Sequence, residues 1–125
     1  MWTYEQPSGH LYDPEGVVVG VGYSGAPGSV NDPEKQSVPD VGPIPVGFWL
    51  MGAPVDDTET GPYTIPLTPS DTTETFGRTE LKIHGDDVRY VGQRLASKGC
   101  IVLALEERKA LWQSNDHQLY VTREF

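Results

Sequence analysis

Fourteen glycines and eleven prolines punctuate this 125-residue chain from end to end, without any period. A proline cannot donate to a backbone ladder and a glycine loosens the backbone, so long regular elements are interrupted wherever these residues fall. Short β-prone runs remain between them. This predicts a mainly β fold with many turns and one or two short helices. The runs are Trp2–Glu5, His10–Tyr12, 17–23, Gly47–Met51, 63–67, 81–84, 100–103 and Gln118–Thr122.

Asp13-Pro14-Glu15-Gly16 reads as the turn between the second and third runs, with Pro and Gly where such turns favour them. Residues 24–45 are rich in Gly and Pro and read as a long loop, which either covers a sheet edge or walls a cleft. Residues 55–61 read as a solvated acidic turn. Helical pieces are predicted at 88–95, capped by Asp86 and Asp87, and at 106–112, with Leu105, Lys109 and Trp112 on one face.

The length corresponds to one domain, residues 1–125, with room for a modest core. A formal net charge of −9 and a pI near 4.6 argue against nucleic acid, because phosphate binding needs clustered Lys and Arg. The acidic surface serves solubility, or favours substrates that carry amines. No stretch approaches the ~20 apolar residues that span a bilayer, so no membrane insertion is expected. The single cysteine, Cys100, has no intramolecular disulfide partner, so packing has to supply the stability.

Cys100 is the pivotal residue. A free thiol titrates near pH ~8.5 and attacks carbonyl carbon as thiolate, so a nucleophilic cysteine needs a base or a positive field. His84 can supply the base, and both residues fall at boundaries of β-prone runs. Gly99 lets the backbone approach a substrate closely, so the N–H groups of Lys98, Gly99 and Cys100 are candidates for an oxyanion site. Arg78 suits a terminal carboxylate, or an internal salt bridge with one of the many acids. Ser97 binds substrate or hydrogen-bonds within the cysteine loop. Tyr23, Trp49 and Tyr90 line a cleft or belong to the core. No metal or cofactor is expected, since His10 and His117 form no ligand spacing with Cys100. Asp86 and Asp87 are read as helix caps rather than as a catalytic carboxylate pair.

His84-Gly85 followed by Ser97-Lys98-Gly99-Cys100-Ile101 resembles the signature of YkuD-like L,D-transpeptidases. The upstream Gly42-Pro43-Ile44-Pro45-Val46-Gly47-Phe48-Trp49-Leu50 is similar to that family's Pro-x-Gly-x-aromatic strand. The chain looks most like a small branch, the L,D-transpeptidase effectors of type VI secretion. That likeness runs from Trp2-Thr3-Tyr4-Glu5-Gln6 through Gly22-Tyr23-Ser24-Gly25 and Gly77-Arg78 to Cys100. The wider family has His where Lys98 stands and Arg or Asn where Val102 stands, so those two roles do not transfer. An ammonium at Lys98 would nonetheless lower the pKa of the neighbouring thiol.

The resemblance implies a YkuD-like β-sandwich and a cysteine enzyme acting on peptidoglycan tetrapeptide stems through a thioester. The carbonyl of Gly85 would orient the His84 imidazole. L,D-carboxypeptidase and D-amino-acid-exchanging transpeptidase activity would follow, with stem peptides, a secretion apparatus and a cognate immunity protein as partners. The N-terminus lacks a basic region followed by an apolar core, so synthesis in the cytoplasm and action in a target bacterium's periplasm are expected. The competing readings are a housekeeping enzyme that makes 3-3 cross-links and an inactive wall-binding or structural module.

Overall fold

Alternation inside the short runs decides which face each strand buries. Along Gly47–Met51, Trp49 and Met51 point inward while Phe48 and Leu50 face solvent. Gln118–Thr122 follows the same rule, with Leu119 and Val121 buried. The computed structural model describes residues 1–87, 89 and 93–125. Among them lie β1 (Trp2–Glu5), β2 (His10–Tyr12), β3 (Val18–Val21), β4 (Tyr23–Ser24), β5 (Gly47–Met51), β6 (Val55–Asp57), β7 (Gly61–Pro69), β8 (Lys82–His84), β9 (Ile101–Val102) and β10 (Gln118–Thr122). One α-helix, α1 (Leu105–Gln113), and a short 3-10 turn at Pro33–Lys35 accompany them.

Hydrogen bonds join the strands into one 10-stranded sheet in the order β3-β2-β1-β10-β5-β7-β8-β9-β4, with β6 on β7. The mainly β expectation holds. β1 with β10 and β8 with β9 are parallel, and the other pairs are antiparallel. Parallel neighbours need a long connection, and residues 85–100 supply it between β8 and β9.

The two ends of this path, β3 and β4, are separated in the chain by Gly22 alone. The sheet therefore curls until its ends meet and encloses the core between its opposite walls. Gly22 donates its N–H to the Gly9 carbonyl at 2.8 Å. A Cβ at Gly22 would lie 2.2 Å from the Val102 carbonyl oxygen, so only glycine fits the seam. Residues 17–23, expected as one strand, are thus two, paired at opposite ends of the sheet.

The core runs from Tyr4 and Leu11 through Trp49, Leu119 and Val121 to Ile65, Ile83 and Ile101, which stand together across β7, β8 and β9. Each such side chain stabilises the fold by roughly 1.5–3 kcal/mol on burial. Leu111 of α1 completes it. The helix buries Arg108 and Leu111, while Leu105 and Lys109 of the expected apolar face are exposed. The expected turn at 55–61 instead begins with β6, which pairs with β7. Part of the helix predicted at 88–95, and Tyr90, lie outside the described residues. No described helix is long and apolar enough to cross a membrane.

Candidate active site

The register of β8 and β9 determines what faces Cys100. Ile83 pairs with Ile101 and His84 with Val102. One residue back, Lys82 stands beside Cys100. Ile83 and Ile101 point into the core, so alternation turns Lys82, His84 and Cys100 to the other face. His84 and Cys100 are diagonal neighbours there, with backbones roughly 8 Å apart from ordinary strand spacing and rise.

Cys100 is half-buried and borders a cavity of about 240 Å³ together with Pro39, Asp40, Arg78, Glu80 and Lys98. The long 24–45 loop therefore walls this cleft through Pro39 and Asp40. The sulfur lies 3.7 Å from the Glu80 carbonyl oxygen. Among the described residues, no hydrogen bond joins it to the imidazole. Burial pushes the thiol up from its ordinary pKa, and the Lys82 backbone N–H with the Lys82 and Arg78 charges works against that.

His84 is 4% exposed, and its Nδ1 lies 2.8 Å from the Gly85 carbonyl oxygen. A carbonyl only accepts, so Nδ1 carries the proton and Nε2 keeps its lone pair. Burial lowers the imidazole pKa; the Gly85 bond opposes this and the Arg108 charge reinforces it. Both shifts favour the uncharged forms of thiol and imidazole. A neutral imidazole with an open Nε2 is the form a general base takes, and His84 is not among the residues that border the Cys100 cavity.

Ser97 is 2% exposed and holds the cysteine loop in shape. Its hydroxyl donates to the Cys100 carbonyl at 2.6 Å and accepts from the Gly25 and Gly99 N–H groups at 2.9 and 3.0 Å. With its one proton and both lone pairs used, Ser97 holds the loop in place, the second of its two expected roles. The Gly99 N–H is thereby turned toward Ser97 and away from an oxyanion. Gly99 has φ of 138°, and a Cβ there would lie 2.1 Å from Arg78 Nη2.

Arg78 also departs from expectation. It is 7% exposed, and its guanidinium donates to four carbonyls: Gln36 and Pro43 at 2.7 Å, Gly42 at 2.9 Å and Lys98 at 3.3 Å. Those bonds tie the 24–45 loop to the cysteine loop, so neither a substrate carboxylate nor an internal salt bridge takes the fork. Burial lowers its pKa, while Asp40 and the Cys100 sulfur act to raise it.

Tyr23 is buried. Its hydroxyl donates to Asp86 at 2.6 Å and accepts from the Ala96 N–H at 3.0 Å, tethering both ends of the 86–96 segment. Asp86 thus serves a tether, and its carboxylate also accepts from the Asp87 N–H. Trp49 lies in the core, its indole N–H donating to the Pro45 carbonyl at 3.1 Å. Neither aromatic borders the Cys100 cavity. Lys98 is exposed and contributes its carbonyl to Arg78.

The ammonium that acts on the sulfur belongs to Lys82, which pairs with Asp57 at 2.9 Å. That bond, with the Glu59 and Thr60 N–H groups, holds the Asp57 carboxyl well below the usual carboxylate range. Sequence reasoning missed both residues. The available signal for Lys82 was its place two residues before His84 in an alternating strand; nothing local marked Asp57. Ser24 was missed as well: its hydroxyl donates to the Gly99 carbonyl and accepts from the Ile44 N–H, both at 2.8 Å. Among the described residues, no three His, Cys, Asp or Glu side chains gather so as to hold a metal ion.

Comparison with curated proteins and with solved structures finds no match to this chain. A family model does match: that of the Tlde1 domain, over residues 20–123. The span takes in the sheet seam at Gly22, the loop anchored by Arg78, His84 and Cys100, and the helix behind them. The chain accordingly belongs to the Tlde1 domain family, the peptidoglycan-modifying L,D-transpeptidase effector domains of type VI secretion.

Proposed function

We propose that the chain, residues 1–125 acting as one YkuD-like catalytic domain, is a cysteine acyltransferase on peptidoglycan tetrapeptide stems. The observation that carries this reading is the common face of β8 and β9, where His84, oriented by the Gly85 carbonyl, stands diagonally from Cys100. His84 Nε2 takes the thiol proton as Sγ attacks the carbonyl between meso-diaminopimelate and the terminal D-alanine. The C–N bond breaks, the imidazolium returns its proton to the leaving amine, and D-alanine departs from a thioester. The Lys98 and Cys100 N–H groups remain the candidate oxyanion donors once Gly99 is turned inward.

Water as acceptor regenerates the thiol and completes an L,D-carboxypeptidase cycle. A D-amino acid or another stem completes a transpeptidase cycle. In both, His84 accepts the acceptor's proton and passes it to sulfur. In a recipient periplasm, trimming and exchange would deprive normal cross-linking of its substrate, and a producing cell would need an immunity protein over this cleft.

Export of the wild type and of Cys100→Ala to the periplasm of a host, followed by muropeptide analysis, tests the mechanism. The wild type is expected to convert tetrapeptides to tripeptides and to slow growth. The same conversion by the alanine variant would exclude the thioester.

A further inference from the structure

A cavity of about 560 Å³ lies away from the sulfur, on the outer face of β5, β7 and β10. Phe48 and Leu50 are exposed on it, at 44% and 54%. Phe48 stacks on Tyr120 with ring centroids 4.8 Å apart and planes 18° from parallel. Thr68, Ser70 and Gln118 add hydroxyls and an amide around the apolar floor. Aromatic faces bordered by uncharged hydrogen-bonding groups suit a pyranose, which offers C–H faces and equatorial hydroxyls, and an N-acetyl methyl.

The register connects this cavity with the thiol. Gln118 pairs with Leu50 and Leu50 with Thr68, all on the solvent face; Pro66, two residues from Thr68, pairs with Lys82 beside Cys100. From β5 to β9 there are three strand spacings, roughly 14 Å. A stem peptide holds three residues and a lactyl link between its muramic acid and the scissile carbonyl, again roughly 14 Å when extended.

We infer that this cavity is a glycan subsite, holding an N-acetylated sugar of the strand whose stem peptide reaches Cys100. The inference deepens the proposed function and rests on it. The glycan would anchor the substrate along the outside of the sheet and orient the stem across β7 and β8. No lysine, arginine or carboxylate side chain lines the cavity, and the ammonium of Met1, which does, is paired with Asp116, so an uncharged ligand fits.

The test uses two probes on the whole chain. Triacetylchitotriose, which has no peptide, is titrated while tryptophan fluorescence is read, Trp49 being buried on β5 between the exposed Phe48 and Leu50. Turnover of a disaccharide tetrapeptide is compared with that of the free tetrapeptide. Expected are saturable chitotriose binding and a KM about tenfold lower for the glycan-bearing substrate, the scale of one aromatic contact. Phe48→Ala and Gln118→Ala should weaken both effects without changing the rate at which iodoacetamide modifies Cys100.

Absence of chitotriose binding, together with equal KM for the two substrates, overturns the subsite and leaves the cysteine chemistry standing. Turnover of neither substrate defeats the proposed reaction, and the binding titration alone then decides whether a sugar site exists. Sedimentation as a dimer that Phe48→Ala dissociates, with no sugar bound, would instead assign this face to contact between copies and overturn the inference.

Discussion

Two cations flank the Cys100 sulfur, and they are held in opposite ways. Arg78 is buried and spreads its guanidinium over four backbone carbonyls. Lys82 is partly exposed and bonds to a carboxylate, Asp57. The first arrangement fixes where two loops sit, because carbonyls offer position without cancelling charge. The second sets how much charge the sulfur feels, because an ion pair near solvent is adjustable and contributes little to stability. Geometry and electrostatics at the thiol are therefore assigned to different side chains, and substitution can separate them.

The largest expected effect comes from Arg78→Ala, which leaves the Gln36, Gly42, Pro43 and Lys98 carbonyls without their donor. A loss of about 3 kcal/mol or more is expected, seen as a melting temperature lower by about 10 °C or more. Arg78→Lys keeps the charge but not the planar fork and should fall between. Wild-type melting of the alanine variant would refute the clamp.

Gly99→Ala comes next, with an expected cost of about 2 kcal/mol, because its methyl would enter the guanidinium and its φ disfavours a side chain. In an Arg78→Ala background that added cost should shrink, since one collision partner is gone. Strict additivity in thermal melts would show that the contact is not what makes glycine necessary there.

Lys82 and Asp57 should behave differently, moving reactivity while the melting temperature barely changes. Lys82→Met removes a charge that favours thiolate, so iodoacetamide should modify Cys100 about threefold more slowly near pH 7. Asp57→Asn releases that charge and should speed the reaction by a similar factor. Changes of the same sign would break the contrast between the two cations.

The smallest effects are shifts in pH dependence. Burial lowers the His84 pKa, so the acid limb of activity should have its midpoint below the ordinary imidazole value of about 6.5. Lys82→Met should raise that midpoint and Asp57→Asn should lower it, since the ammonium opposes the imidazolium and the carboxylate favours it. For folding, the unfolded imidazole binds its proton more readily than the folded one. Stability is then complete above about pH 6.5 and declines as pH falls from there toward the folded pKa. His84→Gln should flatten this part of the stability profile.

Much of the sheet was legible because short runs between breakers carry their own alternation. β1, β2, β5 and β10 fall at the expected residues. Val17 to Tyr23 misled because an uninterrupted apolar run carries no sign that its halves pair with opposite ends of a sheet; the close approach at Gly22 is a long-range fact. Asp57 misled because an acid among turn residues reads as solvated until Lys82, from a distant strand, arrives beside it. The His84-Gly85 geometry was accessible, since adjacent residues make that bond. Arg78 was identified as a residue of interest but given the wrong partners, while Ser97 makes the bonds within the cysteine loop that were one of its two expected roles. Their partners are mostly backbone atoms, which no side-chain pattern announces.

Closure at Gly22 also bears on when the thiol becomes competent. β4 follows the seam directly, and its Ser24 hydroxyl anchors the Gly99 carbonyl beside Cys100. The nucleophile's loop thus depends on β4 pairing with β9, Ser24 with Ile101 from the far end of the chain, a step that follows local pairing. During refolding, iodoacetamide sensitivity characteristic of the finished cleft should return later than tryptophan fluorescence. Simultaneous recovery would mean that the thiol's surroundings form before the ring of strands is shut.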